Sequence, residues 1–544
     1  MLYDLTRDAD AAPGESDVTI VGAGIAGLVL AARLREHGLS VTVLESGGRA
    51  QVGERHPLNE VVLLGADYAG AGAGRFRCLG GTSTRWGGAL IPFLDHDLEP
   101  RPYLDLPRWP VRMEALLPYL PGIERLFAVD DGSYGETFAA AAGARIPIGD
   151  PDFVARFAKW PAFRRRNLAT LLKARIDGDA GLRIWLNATV TGASIDPETG
   201  RLRELSAQAP GGSVRRFAAR EIVLCAGAIE STRLMLLFDR QHHGRIWRDC
   251  DALGRHFHDH VSKPVATIET AAPRALNRLA GFRFVGGAMR SLRFELSPQA
   301  QAADRVCSAF GHISMTPLAP GAFEGLRAFM RGLQQHGRLD LRALAPVIAD
   351  LPYLARAAQW RLMRRQLAWP DAARHELHVV VEQVPQPENR ITLADRLDPM
   401  GLPQAAIAWR VGDADRAVFA AYRARFERFW ARHGLAALGR LRWSEAAESE
   451  AEMARDAGGG VYHPGGTTRM GTERGNAVLD GDLCSFAVPN LSVLSTSAFP
   501  TGGGANPTLT LMLFAHRLAD RLSARARRPA EARTAAAPRV THAA

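Results

Sequence analysis

Asp17-Val18-Thr19-Ile20-Val21-Gly22-Ala23-Gly24-Ile25-Ala26-Gly27 decides the fold. A short β-branched run is followed by glycines spaced G-x-G-x-x-G, and then by apolar residues at helical spacing, Leu28, Leu30, Ala31 and Leu34. The run reads as a strand and Leu28–His37 as a helix, which Gly38 stops. Ser40–Leu44 is a second strand, ending at Glu45, and the whole is a compact βαβ unit. Gly22 permits the tight turn, Gly24 lets backbone approach a pyrophosphate, and Gly27 lets helix and strand pack closely. The helix N-terminus then offers free N–H groups and its positive dipole end to the phosphates. Glu45, 18 residues after Gly27, is placed to accept hydrogen bonds from a ribose diol. That acid suits an unphosphorylated ribose, so this stretch leaves FAD and NAD open and disfavours NADP.

Outward from this unit, 544 residues predict two or three domains and a core large enough for a bulky cofactor. The net charge of +10 is carried almost wholly by arginine, since Lys159, Lys173 and Lys263 are the only lysines. No motif interleaves those charges with aromatics, so a nucleic-acid partner is not expected. The five cysteines are scattered with no CxxC pair, which argues against a disulfide framework and against zinc. The first residues carry no apolar leader and no twin arginine, and no apolar run reaches bilayer length; the expectation is a cytoplasmic protein without stable membrane insertion.

Residues 1–16 read as a polar lead-in, and 65–88 as a glycine-dense segment too patterned for a linker. Residues 101–180 read as largely helical, with a helix entry at Trp109-Pro110. Strands are expected at 182–190, 221–225, 376–384 and 405–411. Residues 318–366 read as amphipathic helices, Arg-rich like the rest of the surface, with a lid or a membrane-surface pair as the functional alternatives. From 526 the chain is Arg/Ala/Pro-rich and patternless, a disordered tail.

The C-terminal third separates FAD from NAD. Tyr462-His463-Pro464-Gly465-Gly466-Thr467-Thr468-Arg469-Met470-Gly471 is followed by Asn490–Pro500 (NLSVLSTSAFP), then by Gly502-Gly503-Gly504-Ala505-Asn506-Pro507-Thr508 and an apolar helix to Leu522. Leu79-Gly80-Gly81-Thr82-Ser83, Glu221–Arg233 (EIVLCAGAIESTR), Leu253-Gly254-Arg255 with Asp259-His260, and Pro387–Leu393 (PENRITL) precede it in order. On these motifs the chain, from residue 17 to 522, resembles the glucose–methanol–choline (GMC) oxidoreductases, FAD-dependent enzymes that oxidise alcohols.

The resemblance implies an α/β Rossmann-like FAD-binding domain from 10–100, 180–262 and 456–525. It implies a second, substrate-binding domain from 101–179 and 263–455, built on a mixed or antiparallel sheet covered by helices. It implies cofactor contacts from Gly22, Gly24, Gly27, Glu45, Gly80, Gly81, Thr82, Ser83, Val190, Ala226, Gly227, Ser497, Asn506, Pro507 and Thr508. His463 takes the position of the family's catalytic histidine and Asn506 the second position. Imidazole titrates near neutrality and suits removal of a hydroxyl proton, while an amide can hold the substrate oxygen. Asn506 also stands where it could cap the helix that follows Pro507. Arg85 replaces the histidine that carries a covalent flavin in some relatives, so the FAD is expected to be non-covalent. His258 and His260 flank Asp259, but no second ligand cluster accompanies them, and they are read as structural rather than metal-binding. The expected reaction is oxidation of a primary or secondary hydroxyl, best a sugar or glycoside, with a sterol or simple alcohol as the other substrates. Oxygen, a quinone or a carrier protein would be the electron acceptor. Lyase or decarboxylase chemistry on the same scaffold, and a non-catalytic flavin-binding protein, are the competing functions.

Overall fold

The computed structural model of the chain describes every residue except 52, 142–145, 219, 337–343, 445–461 and 528–544. Six parallel strands make the first sheet, in the order β1 (Leu2–Asp4), β6 (Leu182–Leu186), β3 (Val41–Leu44), β2 (Val18–Val21), β10 (Glu221–Leu224) and β19 (Leu491–Val493). Every residue of β2, β3 and β19 is buried, Thr19, Thr42 and Ser492 included, as in parallel strands covered on both faces. The helices Ile25–Glu36 and Thr508–Ala526 cover this sheet and pack on each other. Both belong to its apolar core.

The second sheet is antiparallel and has its own core. Its path runs β12 (Arg283–Val285), β13 (Ala288–Leu296), β14 (Ala309–Pro317), β15 (Ala373–Glu382), β11 (His260–Glu269), β18 (Arg440–Trp443), and β5 (Phe153–Trp160) also pairs with β13. Helix Asp413–Arg432 buries Phe419, Tyr422, Phe426 and Phe429 in this core. Two small three-stranded sheets complete the fold. One joins β16 (Arg390–Leu397), β17 (Pro403–Ala408) and β4 (Val61–Leu63); the other is β7 (Thr189–Ile195), β8 (Leu202–Gln208) and β9 (Val214–Ala218).

Several local expectations change. The lead-in is not wholly irregular: Leu2, Tyr3 and Asp4 pair with Ile184, Trp185 and Leu186, and Tyr3 stacks on Trp185 at 4.6 Å. Residues 101–180 are less helical than expected, because Phe153–Trp160 is a strand. Its charges hide it: Arg156 is buried against Glu295 at 2.8 Å and Lys159 against Glu124 at 2.6 Å. No helix starts at Pro110. Trp109 is instead buried, its indole donating to Thr501 Oγ1 at 2.9 Å; two short 3-10 turns follow from Met113, and the first α-helix after it runs Leu120–Phe127. In 318–366 the helices are Ala322–His336, Ala345–Ala349 and Leu351–Gln359, with 337–343 outside the described residues. Of the expected tail, Ala526 ends a helix, and 528–544 lie outside the described residues. Among the described residues, no helix is long and apolar enough to cross a membrane.

Candidate active site

A long cleft opens at the carboxyl ends of the parallel strands. Val21, Leu44, Cys225 and Leu494, each at or just past the end of its strand, line it. This is where open α/β sheets bind ligands. The three fingerprint glycines have distinct geometries. Gly22 has φ +105°, and a Cβ there would lie 2.6 Å from the Cys225 carbonyl oxygen. A Cβ on Gly27 would lie 2.0 Å from the Gly22 oxygen, so this position is closed by helix–strand packing and does not line the cleft. In front of Gly24 there is no atom within 4 Å, and the space faced by the N-terminus of helix Ile25–Glu36 is open.

Glu45 lines the cleft at the end of β3, buried. Its oxygens accept from the Ala23 and Gly47 N–H groups, each at 2.8 Å. Burial raises its pKa, and the two backbone donors oppose that rise. A carboxylate offers about four acceptor positions, so room for ribose hydroxyls is left. Thr189 and Val190 also line the cleft, and among the described residues the buried Thr189 hydroxyl has no hydrogen-bond partner. Ala226 and Gly227 line the opposite wall, Gly227 at φ +77° opening helix Ala228–Gln241.

The second glycine loop divides. Gly81 and Thr82 line the cleft, and a Cβ on Gly81 would lie 2.8 Å from Gly24 Cα, so the two glycine loops touch. Gly80, at φ +95°, donates its N–H to the Ala23 carbonyl at 2.9 Å and shapes the loop from behind. Ser83 turns inward, its hydroxyl donating to the Gly80 oxygen and accepting from Leu168 N–H at 3.1 Å. Ser497 is likewise interior, accepting from the Thr468 hydroxyl at 2.7 Å, whereas Pro507 and Thr508 line the cleft. The sequence reading missed Arg75 and Arg77, which border the same cleft and share Glu230. Burial would raise the Glu230 pKa, but Arg77, Arg233 and Arg75 hold it at about 2. The glycine-dense setting of Gly74-Arg75-Phe76-Arg77 was their only sequence signal.

An open pocket before a helix N-terminus, a carboxylate at ribose distance along the chain, an orphaned hydroxyl and bordering guanidinium groups fit an adenine dinucleotide.

At the far end stands His463. Its backbone N–H donates to Asp259 Oδ1 at 2.5 Å, and Asp259 also accepts from the Tyr68 hydroxyl at 2.5 Å and from His260 N–H at 2.7 Å. His463 Nδ1 lies 3.2 Å from His260 Nδ1, and His463 Nε2 lies 3.4 Å from Asn506 Nδ2. Asn506 Oδ1 accepts from Arg293 Nη2 at 2.8 Å. The Asn506 side chain therefore serves this cluster and does not cap the following helix, whose N-cap position is Pro507. Burial first, then His260 and Arg293, holds the His463 pKa far below the usual imidazole value, so the ring is neutral. His258 is structural: its Nδ1 donates to the His256 carbonyl at 3.1 Å and its ring packs under Gly465 and Gly466. His260 and Arg293 belong to the site, though the sequence reading gave neither a role in it. Only tertiary pairing of β11 and β13 with the C-terminal loops brings them there.

Two family descriptions match the chain: GMC oxidoreductase over residues 385–515 and an NAD(P)-binding Rossmann-like domain over 20–69. Paromamine 6'-oxidase of Streptomyces fradiae is 24% identical over 563 residues, covering 94% of this chain and 92% of its own. The fructose dehydrogenase large subunit of Gluconobacter japonicus is 23% identical, covering 93% of this chain and 97% of its own. Among solved structures, pyridoxine 4-oxidase from Mesorbium loti superposes with a TM-score of 0.55 at 18% identity, over 93% of this chain and 98% of that one.

Proposed function

We propose, from the premise that the chain belongs to the GMC oxidoreductase family and is an FAD-dependent oxidoreductase, that it oxidises a hydroxyl of a sugar or glycoside to the carbonyl, with His463 as the base. The observation that carries this reading is the pair His463 Nε2 and Asn506 Nδ2, 3.4 Å apart at the end of the cofactor cleft. A hydroxyl oxygen lying beside the pair, within hydrogen-bond reach of both atoms, would give its proton to the imidazole and receive a hydrogen bond from the amide. The hydride leaving the carbon is taken by the bound FAD; that is the chemistry the cofactor supplies.

A polar wall supports a polyhydroxylated substrate. Strand pairing sets Glu295 opposite Phe310 and His312 opposite His378. Side chains alternate along strands, so Ser291, Arg293, Phe310, His312, Ser314 and His378 share one face. Arg293 anchors that face to Asn506 and lies over the Phe310 ring at 4.0 Å. Hydroxyl and imidazole groups donate and accept, as sugar hydroxyls require. Among the relatives, one name denotes a fructose dehydrogenase and another a paromamine oxidase.

The test is anaerobic. Purified holoenzyme is mixed with sugars, glycosides, sterols and simple alcohols while the long-wavelength flavin band is followed. Bleaching by the sugar class is expected. Bleaching by sterols or simple alcohols alone would reassign the substrate, and turnover of a substrate without bleaching would move the chain to lyase chemistry. Readmitting oxygen then separates an oxidase from a dehydrogenase that needs a quinone or carrier protein.

Two further results are expected of the cofactor. Arg85 is exposed and cannot carry a covalent flavin, so acid precipitation should leave the FAD in the supernatant; yellow precipitate would contradict this. Glu45→Ala removes a charge-assisted contact to the ribose, a class of bond contributing about 1.5–3 kcal/mol. Titration of apoprotein should show FAD affinity lowered roughly 10- to 100-fold. An unchanged dissociation constant would remove the ribose contact from the reading.

A further inference from the structure

We infer that His260 and Arg293 are positioning residues that fix, from opposite ends, the one tautomer of His463 able to act as a base toward substrate. The inference deepens the reading of His463 as the base and rests on it for its catalytic meaning.

The argument runs along a single chain of hydrogen bonds. His260 Nε2 lies 2.8 Å from the Gly503 carbonyl oxygen. A carbonyl only accepts, so the proton of His260 is on Nε2. Burial keeps His260 neutral, which leaves its Nδ1 with a lone pair and no hydrogen. That lone pair faces His463 Nδ1 at 3.2 Å. The hydrogen between the two rings therefore belongs to His463, whose Nδ1 donates. A neutral imidazole with its proton on Nδ1 carries a free lone pair on Nε2.

The other end gives the same answer independently. Arg293 has donors and no acceptor. Its Nη2 lies 2.8 Å from one terminal atom of the Asn506 amide, which must be the oxygen. The amide NH₂ is then turned toward His463 Nε2 at 3.4 Å, where a lone pair is needed to receive it. With the proton on Nε2 instead, two lone pairs would face each other at His260 and two donors would face each other at Asn506. Both contacts would be repulsive.

The backing of this chain is itself buried. Glu382, paired with Arg101, accepts the Gly503 N–H at 2.9 Å, and Asp97 accepts the Gly504 N–H at 2.9 Å, so the peptides on both sides of Gly503, including the one whose carbonyl holds His260, are held. On the Arg293 side, Glu295 is the nearest carboxylate, at 3.9 Å. The groups facing the two imidazoles are thus Arg293, Asn506, Asp259 through its backbone contacts, and Glu382 behind Gly503. In the reaction the substrate O–H bond breaks and its proton goes to His463 Nε2, while the hydride leaves as proposed above. The imidazolium so formed keeps its Nδ1–H on the His260 lone pair, and this contact strengthens as the charge appears.

The test pairs two variants with a direct view of the protons. His260→Phe keeps the ring shape and removes the acceptor. His260→Asn places an amide oxygen near the position of Nδ1 and restores it. Nitrogen NMR of the FAD-loaded protein labelled at histidine, with the His463 signal identified by its loss in His463→Gln, reports which ring nitrogen carries the proton without needing any substrate. A protonated Nδ1 and bare Nε2 in the parent is expected, with the pattern lost in His260→Phe and recovered in His260→Asn. In single-turnover flavin reduction, His260→Phe should be slowed roughly 10²-fold at unchanged substrate affinity, within the ~10⁴ that a wrong tautomer costs a Ser–His–Asp triad. His260→Asn should regain most of that rate. A proton on Nε2 in the parent would overturn the inference, as would His260→Phe and His260→Asn being equally slow, or neither being slow. If no substrate bleaches the parent, the alcohol-oxidation reading fails, and the NMR result still decides the tautomer.

Discussion

His463→Ala should keep its FAD and its fold and reduce its flavin roughly 10²–10⁴ times more slowly, the scale on which a lost general base acts. The retention half of this expectation follows from where the dinucleotide is held. Gly24, Glu45, Thr189 and Gly227 line the cleft along other strands and loops, and His463 is one lining residue among these. The rate half follows from the surroundings of the ring. Asn506 and Arg293 can donate hydrogen bonds around the substrate oxygen, but neither can receive its proton at neutral pH. His260 is turned away, with Nε2 on the Gly503 oxygen and Nδ1 on His463. No second base therefore reaches the hydroxyl among these groups. Stopped-flow mixing under nitrogen measures the rate, and the absorbance ratio of flavin to protein measures the retained cofactor. Flavin reduction at the parent rate would show that another group takes the proton. Loss of the FAD together with the activity would show that His463 is part of the cofactor cradle instead.

How much of this was legible before folding depends on where each signal resides. The fingerprint glycines could be read because backbone conformation and local crowding are short-range properties: Gly22 at φ +105° and Gly27 against the Gly22 oxygen are settled within one βαβ unit. β2 and β3 could be read because they are short runs rich in β-branched residues, whereas β1, only half-buried, reads as a polar lead-in. β5 could not, since Arg156 and Lys159 break its pattern and acquire partners, Glu295 and Glu124, only when distant segments meet. The same holds for the active site. His463 and Asn506 stand in segments whose order resembles a family, but the side chains that orient them come from β11 and β13, more than 200 positions earlier in the chain. His260 shows the difference most clearly. In sequence it is one histidine of His258-Asp259-His260, suggestive of a metal or of nothing. In the fold, pairing with β15 and the turn at Gly503 bring its ring against His463.

Arg101→Met is the substitution expected to cost most in stability. Arg101 and Glu382 form a two-pronged pair in the interior, Nη2 donating to Oε1 at 2.7 Å and Nη1 to Oε2, with side-chain exposures of 5% and 0%. Burial would push the Glu382 carboxyl up. Arg101 and the Gly503 and Ser308 N–H groups pull it down to about 2, so it is ionised at every working pH. Removing the guanidinium leaves that charge buried with only backbone donors, a loss of about 3–5 kcal/mol by comparison with other broken interior pairs. Denaturant unfolding followed by tryptophan fluorescence should show the drop, and a change under about 1 kcal/mol would mean that water reaches the carboxylate. The double variant Arg101→Met, Glu382→Gln tests the cause. It removes the charge while keeping an amide oxygen for one of the two backbone donors, so a large part of the lost stability should return. If the double variant is less stable than Arg101→Met, the ion pair is not what the interior was built to satisfy. The pair also tethers the site. Glu382 holds the Gly503 N–H, the carbonyl of the same residue holds His260, and His260 holds His463. Arg101→Met should therefore slow flavin reduction at temperatures well below its unfolding, and the double variant should recover rate in proportion to how well the glutamine oxygen still receives the Gly503 N–H.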